Sequence, residues 1–344
     1  MIKAGLPIDM HVHLVGNGRQ GSGCWLRVRG WWHKPLANFM LGHIGLGHTE
    51  LQAEDFDRLY VEHLRQQIRE SSLSAAVLLA QDWVYDEHGR KIEGAGSFYV
   101  PNEYVLKLAR EHEEFLPAVS IHPARPDALD ELEKCLAGGA VMLKLLPNCH
   151  NVHANDRRYT KFWERMAQAG LPLLAHTGGE HTVPVVNEAY ADPRTLQLPL
   201  ECGVKVIAAH CATKSGIGDP EYFHIFCEML EKYPTLYGDS SALVTLNRCA
   251  HLTKCLRPGL AERVFHGSDF PVPIFGHRLW WRGDLKREDF RRCQAIKNVI
   301  ERDYQKKRAL GFKDEHFTQI WEVLRKVNET SNIQRPTPNI ERGS

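Results

Sequence analysis

Ile8-Asp9-Met10-His11-Val12-His13 ends the first apolar run of the chain with two histidines one residue apart. In an extended strand, residues i and i+2 face the same way, so both imidazoles can reach one point in space. Imidazole is the commonest protein ligand for zinc-like ions. Alone, the pair is weak evidence, because a histidine ending a strand is more often a hydrogen-bonded core residue. Its weight depends on what the later strands deliver.

Seven more apolar runs follow, at Ala75–Gln81, Leu116–His122, Val141–Leu146, Pro172–His176, Lys205–His210, Thr235–Asp239 and Arg263–His266. With Pro7–Val15 they make eight candidate strands. From the fourth onward they recur about every 30 residues, the length of one strand–helix–strand unit. Helical periodicity fills stretches between them, as at Pro126–Ala137, Tyr159–Gln168 and Glu221–Lys232. The pattern predicts an α/β fold of the (β/α)8 TIM-barrel type. A doubly wound sheet is the rival, but no Gly-x-Gly-x-x-Gly turn follows the first strand.

Two segments break the regular spacing. Residues 16–60, between the first and second strands, read as a long lid-like insertion that opens with four glycines in Gly16–Gly23 and carries Trp25, Trp31, Trp32 and His33. After the eighth strand, Ile274–Gly283 holds Phe275, His277, Arg278, Trp280 and Trp281. Both leave the C-terminal ends of strands, the barrel face where active sites form. These aromatics either pack the loops onto the barrel or cover a substrate. The barrel is expected to form one domain over residues 1–327, with 328–344 as a polar tail.

Polar residues sit at the ends of several runs. The fourth strand delivers Lys144, the fifth His176, the sixth His210 and the eighth Asp269. Each has an ordinary reading: a satisfied core histidine, a turn-capping aspartate, a lysine paired with a carboxylate. Barrel closure brings these strand ends to one mouth, where burial without partners is costly and a metal would satisfy all of them. Met142 shares the inward face with Lys144, and Leu143 faces the helices.

The order His11-x-His13, Lys144, His176, His210, Asp269 resembles the amidohydrolase superfamily of metal-dependent barrel hydrolases. Lys144-Leu145-Leu146-Pro147, His176-Thr177-Gly178 and Gly267-Ser268-Asp269-Phe270-Pro271 are similar to its amidohydrolase-related (amidohydrolase 2 type) branch. The resemblance implies a divalent metal, zinc first with Mn, Fe or Ni as alternatives, held by His11, His13 and His176 with Asp269 as ligand or acid–base group. His210 would bind a second ion or polarise the scissile carbonyl. In two-metal members the lysine matching Lys144 is carboxylated and bridges both ions; one-metal members need no ligand there.

The expected activity is hydrolysis of an amide, lactone or related carbonyl bond by metal-activated hydroxide, with Asp269 and His210 catalytic. A single-metal non-oxidative decarboxylase is the alternative, with Arg19, Arg278 or Lys144 facing a carboxylate. A non-catalytic metal-binding protein is a third. Net charge is +1 over 344 residues, so no overall field favours nucleic acid or an anionic membrane. Nine cysteines without a Cys-x-x-Cys pair argue against a disulfide framework and for a cytoplasmic setting. The first run starts too early to leave room for a signal peptide, and no apolar run is long enough to span a membrane. The partner expected is a small-molecule substrate, with a homo-oligomer possible in principle.

Overall fold

The computed structural model describes residues 4–28, 33–47 and 49–327. Trp31, Trp32, the side chain of His33 and the tail 328–344 lie outside the described residues. The described residues form ten strands: β1 (Ile8–His13), β2 (Trp25–Leu26), β3 (Ala75–Leu79), β4 (Phe98–Tyr99), β5 (Phe115–Val119), β6 (Met142–Leu145), β7 (Leu173–Ala175), β8 (Val206–Ala208), β9 (Leu236–Asp239) and β10 (Val264–Phe265). Eight of them form one all-parallel sheet in the order β1-β3-β5-β6-β7-β8-β9-β10. Met10 N–H donates to His266 O at 3.1 Å and His13 N–H to Phe270 O at 2.8 Å, joining the last strand to the first. The eight predicted strands are these, each slightly shorter than its apolar run, and the fold is a TIM barrel.

Two apolar layers hold it together. Inside the barrel, Ile8, Met10, Val77, Met142, Leu174, Ile207 and Phe265 pack together, with Ile320, Val323 and Leu324 closing the end where the strands begin. Outside, helices cover the sheet. In the helix Phe56–Arg69, Phe56, Tyr60, Val61, Leu64 and Ile68 recur at helical spacing, and all are buried. The charged stretch 286–308 forms two helices, Arg287–Gln294 and Val299–Ala309. Its Lys306 and Lys307 are fully buried. Among the described residues no helix is long and apolar enough to cross a membrane.

One irregularity aims the first strand. Asp9 pairs with Ala76 but Val12 pairs with Leu78, so β1 spends three residues where β3 spends two. Such a bulge flips which face later side chains occupy. Ile8 and Met10 fill the barrel interior, yet Val12 and Leu14 belong to the outer layer, which leaves His11 and His13 facing the axis. Asp9 braces the bulge: its buried Oδ1 accepts from the N–H groups of His11 at 3.1 Å and Ser268 at 2.9 Å.

The described part of the segment between β1 and β3 packs around a small ribbon. β2 pairs antiparallel with β4, Trp25 opposite Tyr99 and Leu26 opposite Phe98. Rings of Trp25 and Tyr99 pack on Trp83, with centroids 4.9 and 5.1 Å away. A helix at His33–Ile44 follows. After β10, Phe275 stacks on Phe39 and Trp280 on Phe290, so those rings pack against neighbouring helices.

Candidate metal centre and cavity

Three ligand atoms converge at the C-terminal mouth of the barrel. His11 Nε2 lies 3.3 Å from His13 Nε2 and 3.2 Å from Asp269 Oδ1, and His13 Nε2 lies 3.3 Å from the same oxygen. Ligand bonds of about 2.0–2.1 Å in a tetrahedral shell require edges of roughly 3.3 Å, so the triangle has the size of one face of such a shell. Among the described residues this is the group of His, Cys, Asp and Glu with atoms close enough to hold an ion.

The protons explain why an ion fits. His11 Nδ1 is 2.7 Å from Asp239 Oδ2, and an ionised carboxylate only accepts, so the ring proton sits on Nδ1. Nε2 is left as a bare lone pair facing a carboxylate oxygen. Burial, with Lys144 next in importance, holds the His11 imidazolium well below its ordinary range, so the ring stays neutral. Burial opposes ionisation of Asp269 as well, but positive charge at the mouth, on the imidazoles of His11 and His13 when either carries a second proton and on Lys144, holds the carboxyl below the usual carboxylate range. Lone pairs from a neutral imidazole and a carboxylate in a buried triangle are a donor set for a divalent cation.

The other predicted residues stand beside this triangle. Lys144 Nζ is 3.2 Å from His11 Nε2, and burial lowers its pKa to about 8. His210 stacks on His11 with centroids 5.4 Å apart, and its Nε2 is 3.2 Å from His176 Nδ1. His210 Nδ1 faces Ser241 O at 3.0 Å, so Nδ1 donates and Nε2 again carries a lone pair. His176 Nε2 is buried without a hydrogen-bond partner and lies 3.7 Å from Glu180 Oε2. All six predicted site residues are thus gathered at one mouth.

Local backbone bends complete the aim. His210, Cys211 and Ala212 have φ of 59°, 50° and 56°, and Asp269 has 66°. Left-handed backbone at non-glycine residues is costly and persists where the surroundings over-determine it. On β8 the interior residues are Ile207 and Ala209, so simple alternation would point His210 outward; the left-handed turn brings it back.

Several residues at the mouth escaped the sequence reading. Asp239 accepts from His11 Nδ1 with one oxygen and from His210 N–H at 2.8 Å and Ser241 N–H at 3.1 Å with the other. It ends the seventh apolar run, the same signal that marked Lys144 and His176. Glu180 and the buried Arg248 lie in loops, where no periodicity marks them. Arg248 donates to Thr213 O and Gly179 O, tying the loops after β8 and β7 together. Arg19 and Arg278 are exposed and do not line the cavity. His150 is buried against Gln81, His153 stacks on Tyr190, and His266 packs on Phe317.

A cavity of about 430 Å³ opens onto the triangle. Its polar floor includes His13, Lys144, His176, His210 and Asp269. The walls are mostly apolar, with Leu26, Leu36, Met40 and Leu51 from the segment after β1 and Val183 and Val272 from later loops. Size and lining suit a small organic ligand.

The sequence model of the amidohydrolase family (Amidohydro_2) matches residues 8–293. No curated protein matches the chain. Among solved structures, an uncharacterised TIM-barrel protein from Bordetella bronchiseptica is similar at 17% identity and a TM-score of 0.56, over 88% of this chain and 97% of that one. A candidate 2-pyrone-4,6-dicarboxylic acid hydrolase from Pseudomonas putida is similar at 16% identity and a TM-score of 0.52, over 94% and 96%. A 5-carboxyvanillate decarboxylase from Sphingomonas paucimobilis matches at 9% identity and a TM-score of 0.47, over 90% and 100%. At these identities the first two likenesses show the fold alone.

Proposed function

The chain belongs to the amidohydrolase family, and from that premise we propose that it is a metal-dependent hydrolase of an amide, lactone or related carbonyl compound. One observation carries the reading: the triangle of His11 Nε2, His13 Nε2 and Asp269 Oδ1, with 3.2–3.3 Å edges, at the floor of a cavity. A divalent ion held there, zinc first, would supply Lewis acidity and an acidified water. His176 and His210 extend the donor set, since His210 presents a lone pair and not an N–H toward His176. That tautomer favours His210 as a ligand over His210 as a hydrogen-bond donor to the substrate carbonyl. Lys144, adjacent to His11, would either join the ligand set in its carboxylated form or stand as a free amine beside a single ion.

Asp269 is the proton carrier in this scheme. Ionised and partly open to the cavity, it takes a proton from water as the nucleophile forms and returns it to the leaving group. Asp239, by holding the His11 proton on Nδ1, keeps Nε2 available. The apolar walls exclude competing water. Nine free thiols, most of them buried, support a reducing, cytoplasmic setting.

The test is elemental analysis of protein purified without chelator, followed by turnover of an ester and lactone panel in oxygen-18 water. Bound metal near stoichiometry and label in the carboxylate product are expected, and Asp269→Asn should lose turnover by about 10³-fold while staying folded. Carbon dioxide release from carboxylate-bearing compounds added to the panel, with no label in the organic product, would replace hydrolysis by decarboxylation. Metal-free protein that is fully active would overturn the metal-dependent reading.

A further inference from the structure

Among the described residues, Arg27 is the arginine that lines the cavity, and no described carboxylate forms an ion pair with it. Arg27 follows β2, and its backbone N–H donates to Ser97 O at 2.7 Å, fixing it to the strand opposite. Its guanidinium lies over the ring of Trp25, 4.2 Å from the centroid, and reaches Trp83 at 5.9 Å. A cation over a ring face needs no acceptor, so this contact does not use up the N–H groups of the guanidinium. Nη1 is buried without a hydrogen-bond partner among the described residues, although Arg27 lines the cavity. Two residues earlier, Trp25 Nε1 is a second buried donor with no acceptor among the described residues. A buried N–H left unmade costs free energy that an acceptor on a ligand would restore, more so when the donor is charged.

We propose that Arg27 is the specificity-determining residue of this cavity, and that the substrate is an apolar carbonyl compound bearing one carboxylate on the side away from the metal triangle. The substrate half of this rests on the hydrolase reading; the anion subsite does not. A planar carboxylate matches the free edge of a guanidinium. Among the described residues one cation stands in the wall of Leu26, Leu36, Met40 and Leu51, and it balances one negative charge, which a monocarboxylate carries and a phosphate monoester exceeds. Glu180, beside His176, disfavours an anion on that side and so fixes which way round the substrate lies. The ribbon is anchored through Trp25, Trp83 and Tyr99, which holds Arg27 in place before the ligand arrives. Arg19, Arg278 and Lys144, the cations first suspected, are respectively exposed, exposed and part of the floor.

The probes are 4-phenylbutyrate and the isosteric alcohol 4-phenylbutan-1-ol, titrated calorimetrically into the full-length, metal-loaded protein. The carboxylate should bind about tenfold tighter than the alcohol. Arg27→Met should erase that preference while leaving affinity for the alcohol and metal content unchanged, and Arg27→Lys should restore part of it. A preference that survives Arg27→Met would place the carboxylate on the metal and overturn the proposal. Equal affinities in the parent, or no binding of either probe at millimolar concentration, would overturn it too. Failure of the hydrolase reading looks different: no panel compound is hydrolysed, yet the Arg27-dependent preference remains.

Discussion

His11 Nδ1 donates to Asp239 Oδ2 across 2.7 Å, with both side chains fully out of solvent, and this one bond decides which nitrogen of His11 faces the cavity. Asp239→Asn puts that choice at risk. The asparagine oxygen would stay with the N–H groups of His210 and Ser241, turning an amide N–H toward His11 Nδ1. His11 would then carry its proton on Nε2 and lose the lone pair. The expected result is a fall of about 10–100-fold in metal affinity, measured by competition with a chelating dye, in a protein with unchanged circular dichroism. Unaltered affinity would show that Asp239 does not orient the ligand.

Gly267 explains a small residue in the Gly267-Ser268-Asp269 motif. A Cβ there would lie 2.7 Å from His11 Cβ and 3.2 Å from Ser241 Cβ. Neither neighbour is the end of a flexible side chain, so the backbone of β1 or of the Asp269 loop must move. Gly267→Ala is therefore expected to weaken metal binding about tenfold and to destabilise the fold by roughly 1–3 kcal/mol, with no ligand altered. Parent-like metal affinity would mean the two segments separate without disturbing the triangle.

Alternation of apolar and polar residues made most of the barrel legible, because it is the same physics that pairs and buries strands. Lys144 and His176 follow it: Met142 and Leu174 line the interior two residues earlier. Asp239 follows it as well, and its role was overlooked only because its partner His11 lies 228 residues away. His11 and His210 do not follow it. A bulge in β1 and a left-handed turn after β8 aim them, and neither device has a glycine or proline to announce it. Arg27 was out of reach for another reason. Its role depends on what a two-stranded ribbon faces, and each of those strands is two residues long.

Lys307 is buried beneath the same motif. Its Nζ donates to Asp303 Oδ2 at 2.6 Å and to Gly267 O at 2.8 Å, and none of its surface is exposed. Lys307→Met leaves the Asp303 carboxylate buried without its closest cation. Removing one partner of a buried pair costs about 3–5 kcal/mol, whereas replacing both by apolar groups can be neutral. Urea unfolding should show that loss in the single variant and recovery of most of it in Lys307→Met/Asp303→Leu. Equal loss in both would mean the methionine itself is misfit, and the pair is not the cause.

His122 and His150 make stability sensitive to acid. His122 Nδ1 accepts from Ala124 N–H at 3.1 Å and its Nε2–H donates to His150 O at 3.0 Å. His150 Nδ1 accepts from Leu146 N–H at 3.3 Å, and its Nε2 lies 2.8 Å from Gln81 Nε2; two donors cannot pair, so turning the Gln81 amide over places its otherwise unpartnered oxygen there as the acceptor. Both rings are neutral, with burial as the main cause of pKa values lowered to about 3. In the unfolded chain each takes a proton near about 6.5. Between those values the unfolded state binds more protons, so stability is complete above the unfolded pKa and falls as pH drops toward 3. Each ring contributes up to about 1.4 kcal/mol per pH unit to that fall. Comparing urea unfolding at about pH 8 and about pH 5, His150→Gln should lose roughly 2 kcal/mol less than the parent. An identical loss in both proteins would show that His150 is already charged, or not buried, in the folded state.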